Sequence, residues 1–174
     1  RGSSGLLQYT SLSDKLEEPL IEDEQFWNII LVDNLILFQS LDRIYSYNTE
    51  TSNFQIIDSE SAIVRSFLVG KSVYFQQEGL GLYQLQNGQP VLISDALPFS
   101  DYLLVALYSK DNSLMAVTQK HGIFQLKPNG EMSSWNYEAQ DAIANETVYA
   151  ALQLSDQTLL LGTISNGLYH LDAS

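Results

Sequence analysis

The sequence predicts an all-β fold: a β-propeller segment of stacked four-stranded antiparallel blades, part of a larger ring. Three observations carry this expectation. A motif of branched-aliphatic, bulky or aromatic, polar and bulky residues recurs as Leu6-Leu7-Gln8-Tyr9, Ile44-Tyr45-Ser46-Tyr47, Leu82-Tyr83-Gln84-Leu85, Ile123-Phe124-Gln125-Leu126 and Leu168-Tyr169-His170-Leu171. The first residues of these motifs are 38, 38, 41 and 45 positions apart, the period of a propeller blade. No stretch sustains the apolar spacing of a helix, and the best candidate, Glu138 to Asn145, offers one turn at most.

Each motif serves as strand c of a four-strand unit, a to d. Strand b precedes it at Leu35–Phe38, Ser72–Phe75, Leu114–Val117 and Leu159–Gly162, ending 6, 7, 6 and 6 positions before strand c begins. Such constancy indicates a short hairpin. Strand a comes earlier, at Trp27–Val32, Val64–Val69, Leu103–Tyr108 and Tyr149–Leu154. Asp33-Asn34 and Gly70-Lys71 then mark a-to-b hairpins. Weaker d strands follow at Phe54–Ile57, Pro90–Ile93 and Glu131–Trp135, where Pro90 and polar residues suit an outer edge. The expected organisation is a half blade over 1–25, blades over 26–58, 59–94 and 95–136, and an incomplete blade over 137–174. The half blade holds strands c and d, with Gly2–Gly5 in its b-to-c turn.

Composition narrows the function classes. Of 174 residues, 45% are hydrophobic and 11% aromatic, so a sizeable core is available. The net charge of −13 argues against nucleic acid and anionic membrane as partners. Apolar runs such as Tyr102–Leu107 fall far short of the roughly 20 residues of a membrane span, so no membrane insertion is expected. With no cysteine and only two histidines, thiolate and three-His metal sites are excluded. Zinc-protease, nucleophile-elbow, phosphate-loop and EF-hand motifs are absent, and no cofactor is expected. The acidic run Glu17, Glu18, Glu22, Asp23 and Glu24 reads as a solvated d strand and connection rather than a cation site.

The last unit, Leu159-Leu160-Leu161-Gly162-Thr163-Ile164-Ser165-Asn166-Gly167-Leu168-Tyr169-His170-Leu171-Asp172, resembles the two-component regulator propeller repeat. That pattern runs from an apolar strand through Gly-Thr and a few small residues to Gly-Leu-Tyr and a turn-forming Asp. Gly79-Leu80-Gly81-Leu82-Tyr83 and His121-Gly122-Ile123-Phe124 keep its second half, with Phe75-Gln76 and Val117-Thr118 in place of Gly-Thr. Arg43-Ile44-Tyr45 departs further, having no glycine. The resemblance implies a ligand-sensing segment on the periplasmic or extracellular face of a bacterial regulator, tuned to polysaccharide-derived signals. It also implies further blades, downstream signalling domains and a histidine kinase elsewhere in the parent chain.

Propeller geometry sets strand a at the axis and gathers the b-to-c and d-to-a connections at one mouth. The b-to-c turns carry Asp42 and Arg43, Gln77 and Glu78, Lys120 and His121, and Ser165 and Asn166, polar groups suited to a hydroxyl-rich ligand such as an oligosaccharide. The expected ligand-binding residues are therefore Arg43, Glu78, Lys120, His121 and Asn166. Trp135 and Tyr137 join them as an apolar platform for a sugar face. Arg65, near the axial start of its strand, is a further ligand-binding candidate, or equally a channel residue paired with a carboxylate. Gly162 and Gly167 are expected to supply positive φ around the last b-to-c turn. Leu168 and Tyr169 are expected to pack into the two neighbouring blades. A non-catalytic sensor is the leading reading; a protein-interaction scaffold and a propeller-type polysaccharide lyase or hydrolase are the alternatives. Open strand edges at both ends favour self-association.

Overall fold

A computed structural model describes residues 11–17, 20, 23–135, 143, 145–155 and 157–172. The motif at Leu6–Tyr9 and the candidate Tyr137 lie outside the described residues.

Among the described residues, fifteen strands form four antiparallel sheets. The first runs β1 (Asn28–Val32), β2 (Leu35–Gln39), β3 (Arg43–Asn48), β4 (Phe54–Asp58). The second runs β5 (Ile63–Val69), β6 (Ser72–Gln77), β7 (Gly81–Gln86), β8 (Gln89–Ser94), and the third β9 (Leu104–Lys110), β10 (Ser113–Thr118), β11 (Ile123–Leu126), β12 (Met132–Ser134). The fourth holds β13 (Val148–Gln153), β14 (Leu159–Thr163) and β15 (Leu168–Leu171). Every sheet is a meander in sequence order, as short hairpins dictate. At Asp111-Asn112 both residues take positive φ, 49° and 62°, the twist that closes a two-residue hairpin without splaying its strands.

The sheets stack face to face, and the core lies between them in three separate layers. Ile30, Leu37, Ile44 and Ile57 of the first sheet meet Ile63, Val73 and Phe75 of the second. Phe67 and Leu82 of the second meet Leu107 and Ala116 of the third. Met115, Val117 and Ile123 of the third meet Leu159, Leu161 and Leu171 of the fourth. Apolar side chains on both faces of a strand are thus explained by a neighbour on each side. The innermost strands β1, β5, β9 and β13 touch in that order, making an arc of four propeller blades.

Glutamines at the ends of the second strands fasten blade to blade. Gln76, 2% exposed, donates from Nε2 to Phe99 O (2.8 Å) and Tyr102 O (2.7 Å) and accepts from Leu104 N (3.1 Å). Gln39 Nε2 donates to Ile63 O at 3.1 Å, and its Oε1 accepts from the Ser66 hydroxyl at 2.7 Å. The b-to-c turns repeat a hydroxyl brace. Ser40, Thr118 and Thr163 each accept from a turn N–H and donate to the carbonyl of Arg43, Gly122 or Gly167. Thr118 therefore does the work of the Thr in the Gly-Thr pair although no glycine precedes it.

Several expectations need correcting. Among the described residues before β1 there is no strand; Ser13–Lys15 forms a 3-10 turn instead. This segment lies over the outer half of the first blade, with Leu12 and Leu16 beside Phe54 and Lys15 Nζ donating to the Tyr47 hydroxyl at 3.0 Å. A four-residue helix, α1 (Leu97–Ser100), buries Pro98 and Phe99 between the second and third blades, too short to show periodicity. Of the expected turn near 138–145, Ile143 is helical and buried. Gly167 has φ +83° as expected, but Gly162 has no positive φ and sits in ordinary strand geometry. Tyr169 packs on the third blade, whereas Leu168 is 88% exposed and meets no blade among the described residues.

Candidate functional site

The concave side of the arc is a groove of about 800 Å³, within the range of roughly 300–1,000 Å³ usual for small-molecule sites. Its wall is made by β1, β5 and β9, with Ala151 of β13 at the far end. Bulges decide which side chains face it. Register shifts between Ile63 and Arg65, opposite Val117/Thr118, and between Val148 and Ala150 leave Val64, Val105 and Tyr149 unpaired at the same point of three inner strands. An extra residue in one strand re-aims the side chains around it. Trp27 holds the corresponding place before β1, its N–H donating to Gln39 O at 2.8 Å. Trp27, Val64 and Val105 line the groove, and the Trp27 ring is 64% exposed.

Polar groups sit between these apolar ones. Asn28 Nδ2 donates to Ser66 O and Oγ, both at 3.1 Å, and continues into the Gln39–Ser66 pair. This network spans the first two blades. Arg65 Nη1 donates to Val105 O of the third blade at 3.0 Å. Arg65 is a groove residue tied to a backbone carbonyl; among the described residues it forms no ion pair with a carboxylate, which corrects that alternative. One of five guanidinium donors is thereby used in holding the side chain in place. Glu78 stands at the groove's edge on the b-to-c turn of the second blade. Its turn is held by Glu78 N to Ala62 O (2.9 Å) and by the Ser61 hydroxyl to Glu78 O (2.8 Å). Buried Gln77 adds bonds from Glu60 N and Ser61 N to its Oε1.

The structure brings together Arg65 and Glu78 and separates the other described candidates from the groove wall. Arg43 lies on the outward face of the first blade, its Nε 2.9 Å from Asp58 Oδ1. Beside it, burial and then the Glu24 carboxylate, which accepts from the phenol at 3.0 Å, raise Tyr45 above the ordinary phenol range. His121 is exposed and stacks on Tyr102 with centroids 3.7 Å apart, next to exposed Lys120. Asn166 Nδ2 donates to both carboxylate oxygens of Glu146, at 2.8 and 2.7 Å. Trp135 is half-buried against the layer between the third and fourth blades, with Lys110 Nζ 4.7 Å from its ring centroid. Apart from exposed Lys120, these residues are engaged with their own blades or the layer beside them.

Trp27 and Asn28 were missed by sequence reasoning. The available signal was that Trp27 opens an inner strand whose counterparts, Val64 and Tyr149, open theirs. The bulges that turn the counterpart positions inward show only in the register. Among the described residues no group of three His, Asp or Glu converges as a metal site. No helix of the described residues is long and apolar enough to cross a membrane.

Comparison with solved structures agrees with this geometry. The chain resembles BamB from Moraxella catarrhalis (TM-score 0.61, 9% identity, 82% of this chain and 41% of that one). The fold is a β-propeller. It also resembles the extracellular domain of BT3049 from B. thetaiotaomicron, described as a hybrid two component system (TM-score 0.65, 10% identity, 93% of this chain and 21% of that one). The computationally designed Ika4 protein matches over 87% of this chain and 93% of its own (TM-score 0.63, 12% identity). The propeller arc thus spans less than half of the BamB and BT3049 chains. At these identities the likeness is one of fold. No family model matches the sequence, and no curated protein matches it.

Proposed function

We infer that the chain is the ligand-sensing propeller part of an extracytoplasmic bacterial regulator, binding a polysaccharide-derived oligosaccharide in the groove and performing no chemistry of its own. The observation that carries this reading is the combination in one groove of an exposed ring, Trp27, with Arg65 and Glu78. A sugar offers an apolar face to such a ring and paired hydroxyls to such charged groups. The likeness to the extracellular domain of BT3049 supports an outward-facing sensor setting, and so does the resemblance of the last unit to the regulator propeller repeat. The further blades and signalling domains of the parent chain would carry the response. Calorimetric titration with a panel of oligosaccharides tests it. Removing a charged hydrogen-bonding partner costs about 1.5–3 kcal/mol, roughly tenfold or more in affinity. Arg65→Ala and Glu78→Ala should each weaken binding by about that factor, and Lys120→Ala should not. Equal loss in all three would move the site to the rim, and no binding across the panel would refute the ligand class.

A further inference from the structure

The four blades supply an internal control on Arg65. Its backbone pairs with Gln76, and the same place on the other inner strands is held by Asn28 opposite Gln39, Ala106 opposite Val117 and Ala150 opposite Gly162. Two blades fill this place with a methyl group, so stacking one blade on the next does not require a guanidinium there. Arg65 is half-buried, and removing a charge from water is costly where nothing neutralises it. Elsewhere the chain pairs its cations with carboxylates: Arg43 with Asp58, Lys71 with Asp33 and Lys127 with Glu131. Arg65 has no carboxylate partner among the described residues. Its tether is the Val105 carbonyl, 3.0 Å from Nη1, a neutral acceptor that fixes the side chain and leaves its charge in place. Among the described residues lining the groove it is the only basic one.

We propose that the groove selects an anionic sugar, one bearing a uronate carboxylate or a sulfate ester, whose oxyanion docks on the Arg65 guanidinium. This rests on the oligosaccharide reading above and narrows its ligand class. A guanidinium holds its donors in a planar fork that meets two oxygens of one oxyanion at once, and the bond to Val105 O uses a single donor of the five. Glu78 narrows where the anion can sit. It follows Gln76 by two residues on the same hairpin, with its N–H bonded to Ala62 O, so it lies about 7 Å farther along at about 3.3 Å per residue. Its carboxylate accepts sugar hydroxyls and repels an anion, which leaves Arg65 as the anion's place. The net charge of −13 does not cancel this contact. Exposed charges beyond a Debye length of about 8 Å are largely screened at physiological salt, whereas an oxyanion touching a half-buried guanidinium is screened much less.

Matched sugars test the selection. Trisaccharides of glucose, galactose and mannose, each with its non-reducing terminal unit neutral, oxidised at C6 to the uronate or sulfated at O6, would be titrated calorimetrically into the parent chain and into Arg65→Ala. The two charged forms distinguish the source of the oxyanion. At least one of them should bind the parent about tenfold or more tightly than its neutral twin, the factor expected of a charge-assisted hydrogen bond. Arg65→Ala should bind that charged sugar and its twin alike. The variant places at this position the residue that the third and fourth blades already carry, so its far-ultraviolet spectrum should match that of the parent. Equal binding of charged and neutral twins by the parent, or a preference that survives Arg65→Ala, would overturn the proposal and leave the oligosaccharide reading standing. Binding of no member of the set would remove both.

Discussion

Replacing Gln76 by Ala is the sharpest test of how neighbouring blades are joined. The side chain makes three hydrogen bonds from a position 2% exposed, to Phe99 O, Tyr102 O and Leu104 N. Truncation strands all three backbone groups. The Tyr102 carbonyl is only partly buried and regains water, leaving the bonds at Phe99 and Leu104 as the buried ones. An unsatisfied buried group costs about 1–3 kcal/mol, so the loss is about 2–6 kcal/mol, with about 4 kcal/mol as the working value. For a chain of this size that lowers Tm by about 8–16 °C. Urea titration followed by far-ultraviolet dichroism would measure it against Gln84→Ala, whose side chain is bonded, among the described residues, to exposed Gln86. Gln76→Glu adds a check of sign. A carboxylate facing two carbonyls is disfavoured when ionised, which raises its folded pKa. Its stability is therefore fully present below the unfolded carboxylate value of about 4.3 and is lost as pH rises through the folded value. A Gln76→Ala variant within about 1 kcal/mol of the parent would refute the latch, because no buried pair of orphaned groups costs so little.

Gly81→Ala should destabilise by at least about 2 kcal/mol, since φ is +127° and a Cβ would collide with Ser94 O. Gly162→Ala, where the nearest atom is 3.7 Å away, should stay within about 0.5 kcal/mol in the same urea titration. Burial raises the Tyr45 and Tyr83 phenols above their ordinary value, so their contribution is complete below the unfolded phenol pKa of about 10 and is lost as pH rises through the folded values. Denaturation midpoints should accordingly fall as pH rises above about 10, and Tyr83→Phe should flatten that fall; an unchanged slope would contradict it.

The strands were legible because stacked blades impose a repeated demand on the same positions. Ile123–Leu126 and Leu168–Leu171 form strands with the bounds read from the motif, since a residue alternating between two packed faces must be bulky at fixed places. Side-chain partnerships were less legible. Charge marked Arg65, but only the fold shows that the group within its reach is a carbonyl of the next blade. Trp135 has the composition of a platform, yet its ring is half taken up by the core. The bulges that turn Val64 and Val105 inward leave no compositional trace, so the inner column containing Trp27 was invisible.

The two tryptophans allow the site to be located directly. Trp135→Phe leaves Trp27, exposed on the groove, as sole reporter, and Trp27→Phe leaves Trp135, half-buried on the outer part of the third blade. Titrating each variant with an oligosaccharide bound by the parent, and following emission, tests the claim that the arc binds through its inner strands. A saturable blue shift and intensity change in the variant retaining Trp27, with Trp135 silent, is the expected result. A response from Trp135 with Trp27 unaffected would contradict it and place the ligand on the rim.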